Sequence, residues 1–146
     1  MSQARNTELR PGYLVKRVQQ LIRQASDVEL RNIGLSMSQH AVLSALFERP
    51  GASSAELARR CFVTRQSLQD VLSGLRANGL VVVADKPPVG RARPARLTDQ
   101  GRQRLEQAEK VVSTVEDRML AGLSPDDRGR LTMLLFRCAE NLTDIG

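Results

Sequence analysis

Four polar side chains cluster at the start of one predicted helix, and their chemistry suits the edges of nucleic-acid bases. They are Arg65, Gln66, Ser67 and Gln69, directly after a predicted helix cap at Thr64. Arginine can donate two hydrogen bonds to guanine O6 and N7, and glutamine can pair at two points with adenine. A helix that enters the major groove N-terminus first brings such positions to the bases. The cluster therefore predicts a reader of duplex DNA.

A helix-turn-helix would position this cluster. Ser53 with Glu56 predicts a capping box that starts a short helix, and Thr64 starts the next helix, which Asn78-Gly79 ends. Only a few residues separate the two helices, the spacing typical of a helix-turn-helix. The predicted inward face of the first helix is Leu57, Ala58, Cys61 and Phe62, and that of the second is Leu68, Val71, Leu72 and Leu75.

A short strand pair with a basic loop follows the second helix and predicts a wing. Residues 80–84 are mostly β-branched, residues 95–97 are the predicted return strand, and the loop between them is rich in Pro and Gly. Arg91 and Arg93 in this loop are predicted to lie near an adjacent minor groove.

Phosphate contacts are predicted beside the base contacts. The helix starts at Ser53 and Thr64 can offer hydroxyl and backbone N–H groups to phosphates. Arg59 and Arg60 fit either of two interpretations, phosphate clamps or ordinary surface charge. The stretch from Ser53 to Thr98 has eight Lys or Arg against three Asp or Glu, and the whole chain has a net charge of +6. That distribution points to a polyanion as partner, although a merely basic soluble protein would also show it.

Long amphipathic helices flank the predicted DNA-reading segment on both sides. Residues 11–33 have apolar positions in steps of three and four, and Thr98 caps a helix whose apolar positions repeat like a heptad. Ser124-Pro125 starts the last helix. These stripes could form an intramolecular core, but their extent favours dimerisation. The apolar positions are Leu14, Val18, Leu21, Ile22, Ala25 and Val28, then Leu105, Ala108, Val112, Val115 and Met119, then Leu131, Leu134, Leu135, Cys138, Leu142 and Ile145.

Catalysis, metal binding and membrane insertion find no support in the sequence. The chain has no paired carboxylates, nucleophile and base set or phosphate loop, and His40 is its single histidine. Cys61 and Cys138 have no partners at metal-ligand spacing, so no metal or other cofactor is expected. The N-terminus lacks a signal sequence, and no apolar run could span a bilayer, so we expect a cytoplasmic protein.

The order of these elements resembles that of the MarR family of bacterial transcriptional regulators. The segments that carry the resemblance are 35–43 (LSMSQHAVL), 54–60 (SAELARR), 63–68 (VTRQSL), 75–81 (LRANGLV) and 96–101 (RLTDQG). The resemblance implies a mainly α fold with a small β-wing, a homodimer joined through its N- and C-terminal helices, and a pseudo-palindromic operator. It also implies repression that a small anionic or aromatic effector relieves.

On this basis residues 11–144 form one winged-helix domain, in which 53–97 read DNA and 11–34 and 99–144 dimerise. An effector cleft is expected between the first helix, the Ser36–Phe47 helix and the start of the Thr98 helix, where Arg17, Arg23 and His40 could neutralise an acid. The alternative function is a winged-helix adaptor that binds protein and not DNA.

Two features depart from the family pattern. The wing positions that commonly read Asp-Arg-Arg are Val89-Gly90-Arg91 here, and the recognition helix has Asp70 at an often basic position and a Gly74 expected to interrupt it. Asp70 is therefore expected to pair with a neighbouring Arg or to accept from a cytosine amine. No cysteine lies near the N-terminus, which argues against peroxide sensing.

Overall fold

The computed structural model describes residues 6–83 and 95–143. Within these residues the chain forms a short 3-10 helix (Thr7–Leu9), six α-helices and a two-stranded sheet. The elements are α1 (Pro11–Arg31), α2 (Met37–Glu48), α3 (Ser54–Arg60), α4 (Arg65–Ala77), β1 (Val81–Val83), β2 (Ala95–Leu97), α5 (Asp99–Met119) and α6 (Pro125–Thr143). The predicted mainly α architecture with a small antiparallel wing is confirmed.

The helix starts lie where the capping residues predicted them. The Ser36 hydroxyl accepts from the Gln39 N–H at 3.1 Å, and the Gln39 side-chain oxygen accepts from the Ser36 N–H at 3.0 Å, which completes a capping box. Thr64, Thr98 and Ser124 each accept from the backbone N–H three residues on. These bonds satisfy N–H groups that a helix start would otherwise leave unpaired.

One hydrophobic core joins the helix-turn-helix to the long helices. Its fully buried members include Leu30 of α1, Leu43 of α2, and Leu68 and Leu75 of α4. Because α2 contacts α1, α3, α4, α5 and β2, it lies at the centre of the protomer. The helix-turn-helix is therefore fixed on the long helices by continuous packing.

The apolar stripe of α5 is divided between two environments. Leu105 and Ala108 are buried in the core of the protomer itself, and Val115 is also buried. Met119, at the C-terminal end, is 37% exposed. The interpretation of this whole stripe as a dimer seam is thus corrected: its N-terminal part packs inside the protomer, since α5 lies against α1 and α2.

Two further expectations about the helix-turn-helix were wrong. Phe62 is 95% exposed and does not lie on the inward face of α3. The helix ends at Arg60, and Phe62 takes a left-handed backbone with φ of +56°, which turns its side chain outward. Gly74 does not interrupt α4, which continues to Ala77 because a single glycine weakens a packed helix without breaking it.

Helix α6 differs from the other described α-helices in having no buried residue, although it is 19 residues long. Its stripe includes Leu134 at 57%, Leu135 at 45% and Leu142 at 70% exposure. An amphipathic helix normally gains its stability by burying such a face. The protomer therefore presents an apolar surface that nothing in the described residues covers. No described helix is both long and apolar enough to cross a membrane.

Candidate nucleic-acid interface

Helix α4 has one buried and one exposed face. Leu68, Leu72 and Leu75 are buried, and they hold the helix against α2 and α3. All four predicted base-reading residues lie on the exposed side: Arg65, Gln66, Ser67 and Gln69. The structure thus brings these polar side chains together on the first two turns of a helix that is fixed by its apolar face.

Side-chain hydrogen bonds order the first turn of α4. The Thr64 hydroxyl accepts from the Ser67 N–H at 3.0 Å and donates to the Ser67 hydroxyl oxygen at 3.1 Å. The Gln66 amide donates to Asp70 Oδ1 at 3.4 Å. In the described residues Asp70 therefore pairs with a glutamine one turn earlier, and the expected arginine partner is not found. Asp70 thus restrains the Gln66 side chain, and Thr64 restrains the Ser67 side chain.

The residues that were predicted to contact phosphates divide into engaged and unengaged groups. The exposed Ser53 caps α3 by accepting from the Glu56 N–H at 3.1 Å. Arg60 forms an ion pair with Glu48 of α2, so it ties two helices together. Arg59 is exposed. The ambiguity at the two arginines is thus reduced, because Arg60 has a structural partner and Arg59 is the better candidate for a phosphate.

The base of the wing is an antiparallel pair in which Val81 is opposite Leu97 and Val83 is opposite Ala95. The Thr98 hydroxyl donates to the Gly79 carbonyl at 2.7 Å, so the end of the wing is joined to the turn that precedes it. Arg91 and Arg93 lie outside the described residues.

The predicted effector residues lie on α1 and α2, and two of them have polar partners. Arg23 donates to the Ser38 hydroxyl at 3.0 Å and lies 4.0 Å from Asp27. His40 Nε2 lies 2.9 Å from Glu109 Oε1, which also accepts from the Ser44 hydroxyl at 3.1 Å. Arg17 is exposed on α1, six residues before Arg23. The structure thus places His40 between α2 and α5, where a carboxylate already faces it.

An apolar groove of about 250 Å³ lies between α1 and α5. Its lining includes Leu21, Ile22, Val115 and Met119, with Arg118 at one position. The predicted effector residues are not among its lining residues. Arg118 was missed by the sequence reasoning, and the signal that could have found it is its position one residue before Met119 of the apolar stripe.

The Cys61 thiol shows no sign of activation. Burial raises the pKa of the Cys61 thiol, an effect that the nearby Arg60 guanidinium only partly offsets. A thiol with a raised pKa stays protonated at neutral pH and is a poor nucleophile. Cys138 is exposed on α6. No group of three or more possible metal ligands occurs in the part of the chain that the structure covers.

The chain is similar in sequence to known transcriptional regulators. Residues 33–92 match the model of the MarR family. The HTH-type transcriptional repressor Rv2887 of Mycobacterium tuberculosis is 36% identical over 124 residues, which cover 85% of this chain and 89% of the relative.

Two solved structures are similar along nearly the whole chain. The MarR family protein Rv2887 in complex with salicylic acid has a TM-score of 0.74 at 35% identity, with 88% of this chain and 96% of the other covered. The transcriptional repressor CouR, bound to a 23-mer DNA duplex, has a TM-score of 0.81 at 31% identity, with 95% and 98% covered.

Proposed function

The chain belongs to the MarR family of transcriptional regulators, and we propose that it is a homodimeric repressor that reads a pseudo-palindromic operator with its two α4 helices. The observation that carries this proposal is the exposed polar face of α4, held by a buried apolar face. The proposed base-reading residues are Arg65, Gln66, Ser67 and Gln69, with phosphate contacts from Ser53 and Thr64 and wing contacts from Arg91 and Arg93.

The alternative, an adaptor that binds only protein, requires an apolar exposed face on α4. The exposed side of this helix is instead polar along its length, from Arg65 through Asp70 and Ser73 to Arg76. Protein interfaces are depleted of charge at their centre, whereas base edges require hydrogen-bonding side chains. Similar proteins solved with a DNA duplex support the same choice. The proposed site of action is the cytoplasm, and no catalytic role is proposed.

The proposed dimer joins the protomers through 11–34 and 99–144, with 53–97 as the DNA-reading lobe of a single domain, 11–144. Its support is the wholly unburied α6 and the exposed apolar positions of α1. In a two-fold dimer the two α4 helices would lie about 34–36 Å apart to reach successive major grooves.

Substitution of Arg65 by alanine is expected to weaken operator binding by at least about 30-fold, since each bidentate pair contributes roughly 1–3 kcal/mol and a dimer makes two. Binding to a scrambled duplex should change far less, because Arg65 is proposed to contact bases. Gel-shift titrations on both duplexes measure the ratio, and operators can be selected from random duplexes with the wild-type protein.

Arg10→Ala is a matched control, since Arg10 is an exposed arginine that precedes α1 and lies outside the proposed dimerisation and DNA-reading segments. An equal loss on operator and scrambled duplexes for Arg65→Ala would contradict a base-reading role. Wild-type affinity should also fall steeply as salt rises, through counterion release. A flat salt dependence would contradict DNA binding as such.

The proposed effector is a small anionic or aromatic compound, bound where α1, α2 and α5 meet and neutralised by Arg17, Arg23 and His40. Support comes from the arginine and histidine already present at this junction, and from a similar protein that was solved with salicylic acid. Since Glu109 faces His40, an anion beside the imidazole has to displace that carboxylate.

Salicylate is the probe for this site. We expect it to release the operator from the wild-type protein, and Arg23→Ala to raise the required concentration about tenfold, as loss of one charged hydrogen bond predicts. Arg118→Ala is the control, because Arg118 lines the separate apolar groove. The opposite result, with only Arg118→Ala affected, would move the effector into the groove.

A further inference from the structure

A second cleft lies on the proposed DNA-reading lobe, between α3, α4 and the strands at the base of the wing. Its volume is about 300 Å³. Ser54 and Leu57 of α3 form one wall, Val83 and Ala95 of the strands form another, and the α4 wall includes Gln69, Ser73 and Arg76. The last three are spaced four and three residues apart, so they lie on one face of α4. This face of α4 therefore presents a row of three polar side chains to the cleft.

Arg76 is the charged member of this lining, and its surroundings suit an anion. The other lining residues are polar or apolar, and none is acidic. Two other arginines of the described residues are engaged: Arg60 pairs with Glu48, and Arg104 donates to the Ile33 carbonyl. Arg76 is exposed on the wall of the cleft and forms no ion pair with any described residue.

The position of the cleft relative to the base-reading residues identifies the anion. Gln69 belongs both to the exposed face of the first turns of α4 and to the cleft, so the two surfaces are continuous. Arg76 follows Arg65 by eleven residues, about 16 Å along a helix. The major groove is about 12 Å wide, which is less than this separation. When Arg65 contacts bases in the groove, Arg76 therefore lies outside it, over the flanking sugar-phosphate backbone.

We propose that this cleft holds a backbone phosphate of the bound duplex, with the Arg76 guanidinium as its charged ligand and the Ser73 hydroxyl as a second donor. The contact sets affinity and the position of α4 in the groove, and it carries no base information. It rests on the proposed function, because it requires a duplex on α4.

The test is the salt dependence of binding for Arg76→Gln. One phosphate contact contributes a slope of about 0.9 in log affinity against log salt, so two contacts per dimer predict a slope smaller by about 1.8 and an affinity roughly 60-fold lower at 0.1 M salt. The loss should be the same on operator and scrambled duplexes. Arg76→Lys should restore most of the slope, because it keeps the charge.

Arg10→Gln is the matched control for a lost positive charge, because Arg10 is exposed and lies outside the proposed dimerisation and DNA-reading segments. It should leave the slope close to that of the wild type. An unchanged slope for Arg76→Gln in a protein that binds DNA normally would overturn the phosphate site and leave the proposed function intact. A loss confined to the operator would also overturn it, since that pattern belongs to a base contact. If the wild-type protein binds neither duplex, the proposed function itself fails.

Discussion

An alanine at Gly101 is expected to lower the free energy of unfolding by about 3 kcal/mol, the upper end of the usual range for overpacking. A methyl carbon at this position would overlap the Leu80 carbonyl oxygen and lie 3.1 Å from its carbonyl carbon. Since the obstacle is backbone, no side-chain rotation can relieve the overlap. The first turn of α5 would have to move away from the start of the wing.

Two hydrogen bonds oppose this movement of α5 away from the start of the wing. The Leu80 carbonyl accepts from the Thr98 N–H at 3.1 Å, and the Thr98 hydroxyl donates to the Gly79 carbonyl at 2.7 Å. Leu80 itself is 1% exposed within the core. Separation of α5 from this turn would therefore disturb the cap of α5, the base of the wing and the core together.

Thermal unfolding at equal protomer concentration measures the effect, and about 3 kcal/mol corresponds to a melting temperature roughly 6–12 °C lower. Gly74→Ala is the matched control, because Gly74 also lies in a helix, outside the proposed dimer segments, and an added methyl there makes only an ordinary contact, 3.5 Å from the Gln39 side-chain nitrogen. That variant should be neutral or more stable by up to about 1 kcal/mol, from helix propensity. Equal melting temperatures for the two variants would show that the turn is more adaptable than the contact implies.

Local features of the fold could be predicted from the sequence because their causes are local. Ser36, Thr64 and Thr98 each mark a helix start by a hydrogen bond to a backbone group three residues away, so the identity of the residue and its neighbours is sufficient. The exposed polar residues on α4 followed from the same reasoning, since Leu68, Leu72 and Leu75 fixed the opposite face as buried.

Features that depend on tertiary packing could not be predicted in the same way. An apolar stripe shows that a face is buried but not which surface covers it, so Leu105 and Ala108 were assigned to the dimer although they pack within the protomer. Phe62 continues the apolar pattern of α3, but the left-handed turn places it in solvent. The proposed role of Arg76 could not be predicted from the sequence, because it depends on the wing strands that lie beside Arg76 only in the folded chain.

An aspartate in place of Leu135 is expected to convert the proposed dimer into monomers at micromolar concentration. Leu135 lies in the middle of the apolar stripe of α6, which buries no residue in the protomer. In the proposed dimer each protomer would bury one such carboxylate without a cation, and an unpaired buried charge is strongly unfavourable. The core of the protomer contains no residue of α6, so each monomer should remain folded.

Loss of the dimer should reduce operator affinity by about 10²–10⁴-fold, because the second α4 then no longer binds at a high effective concentration. Sedimentation equilibrium gives the mass, and gel shifts on full and half operators give the affinities; the variant should bind the two duplexes almost equally. Met133→Asp is the matched control, since Met133 is 67% exposed on the same helix but points away from the stripe. A Leu135→Asp protein that stays dimeric would place the interface elsewhere, whereas a monomer with full operator affinity would separate dimerisation from DNA recognition.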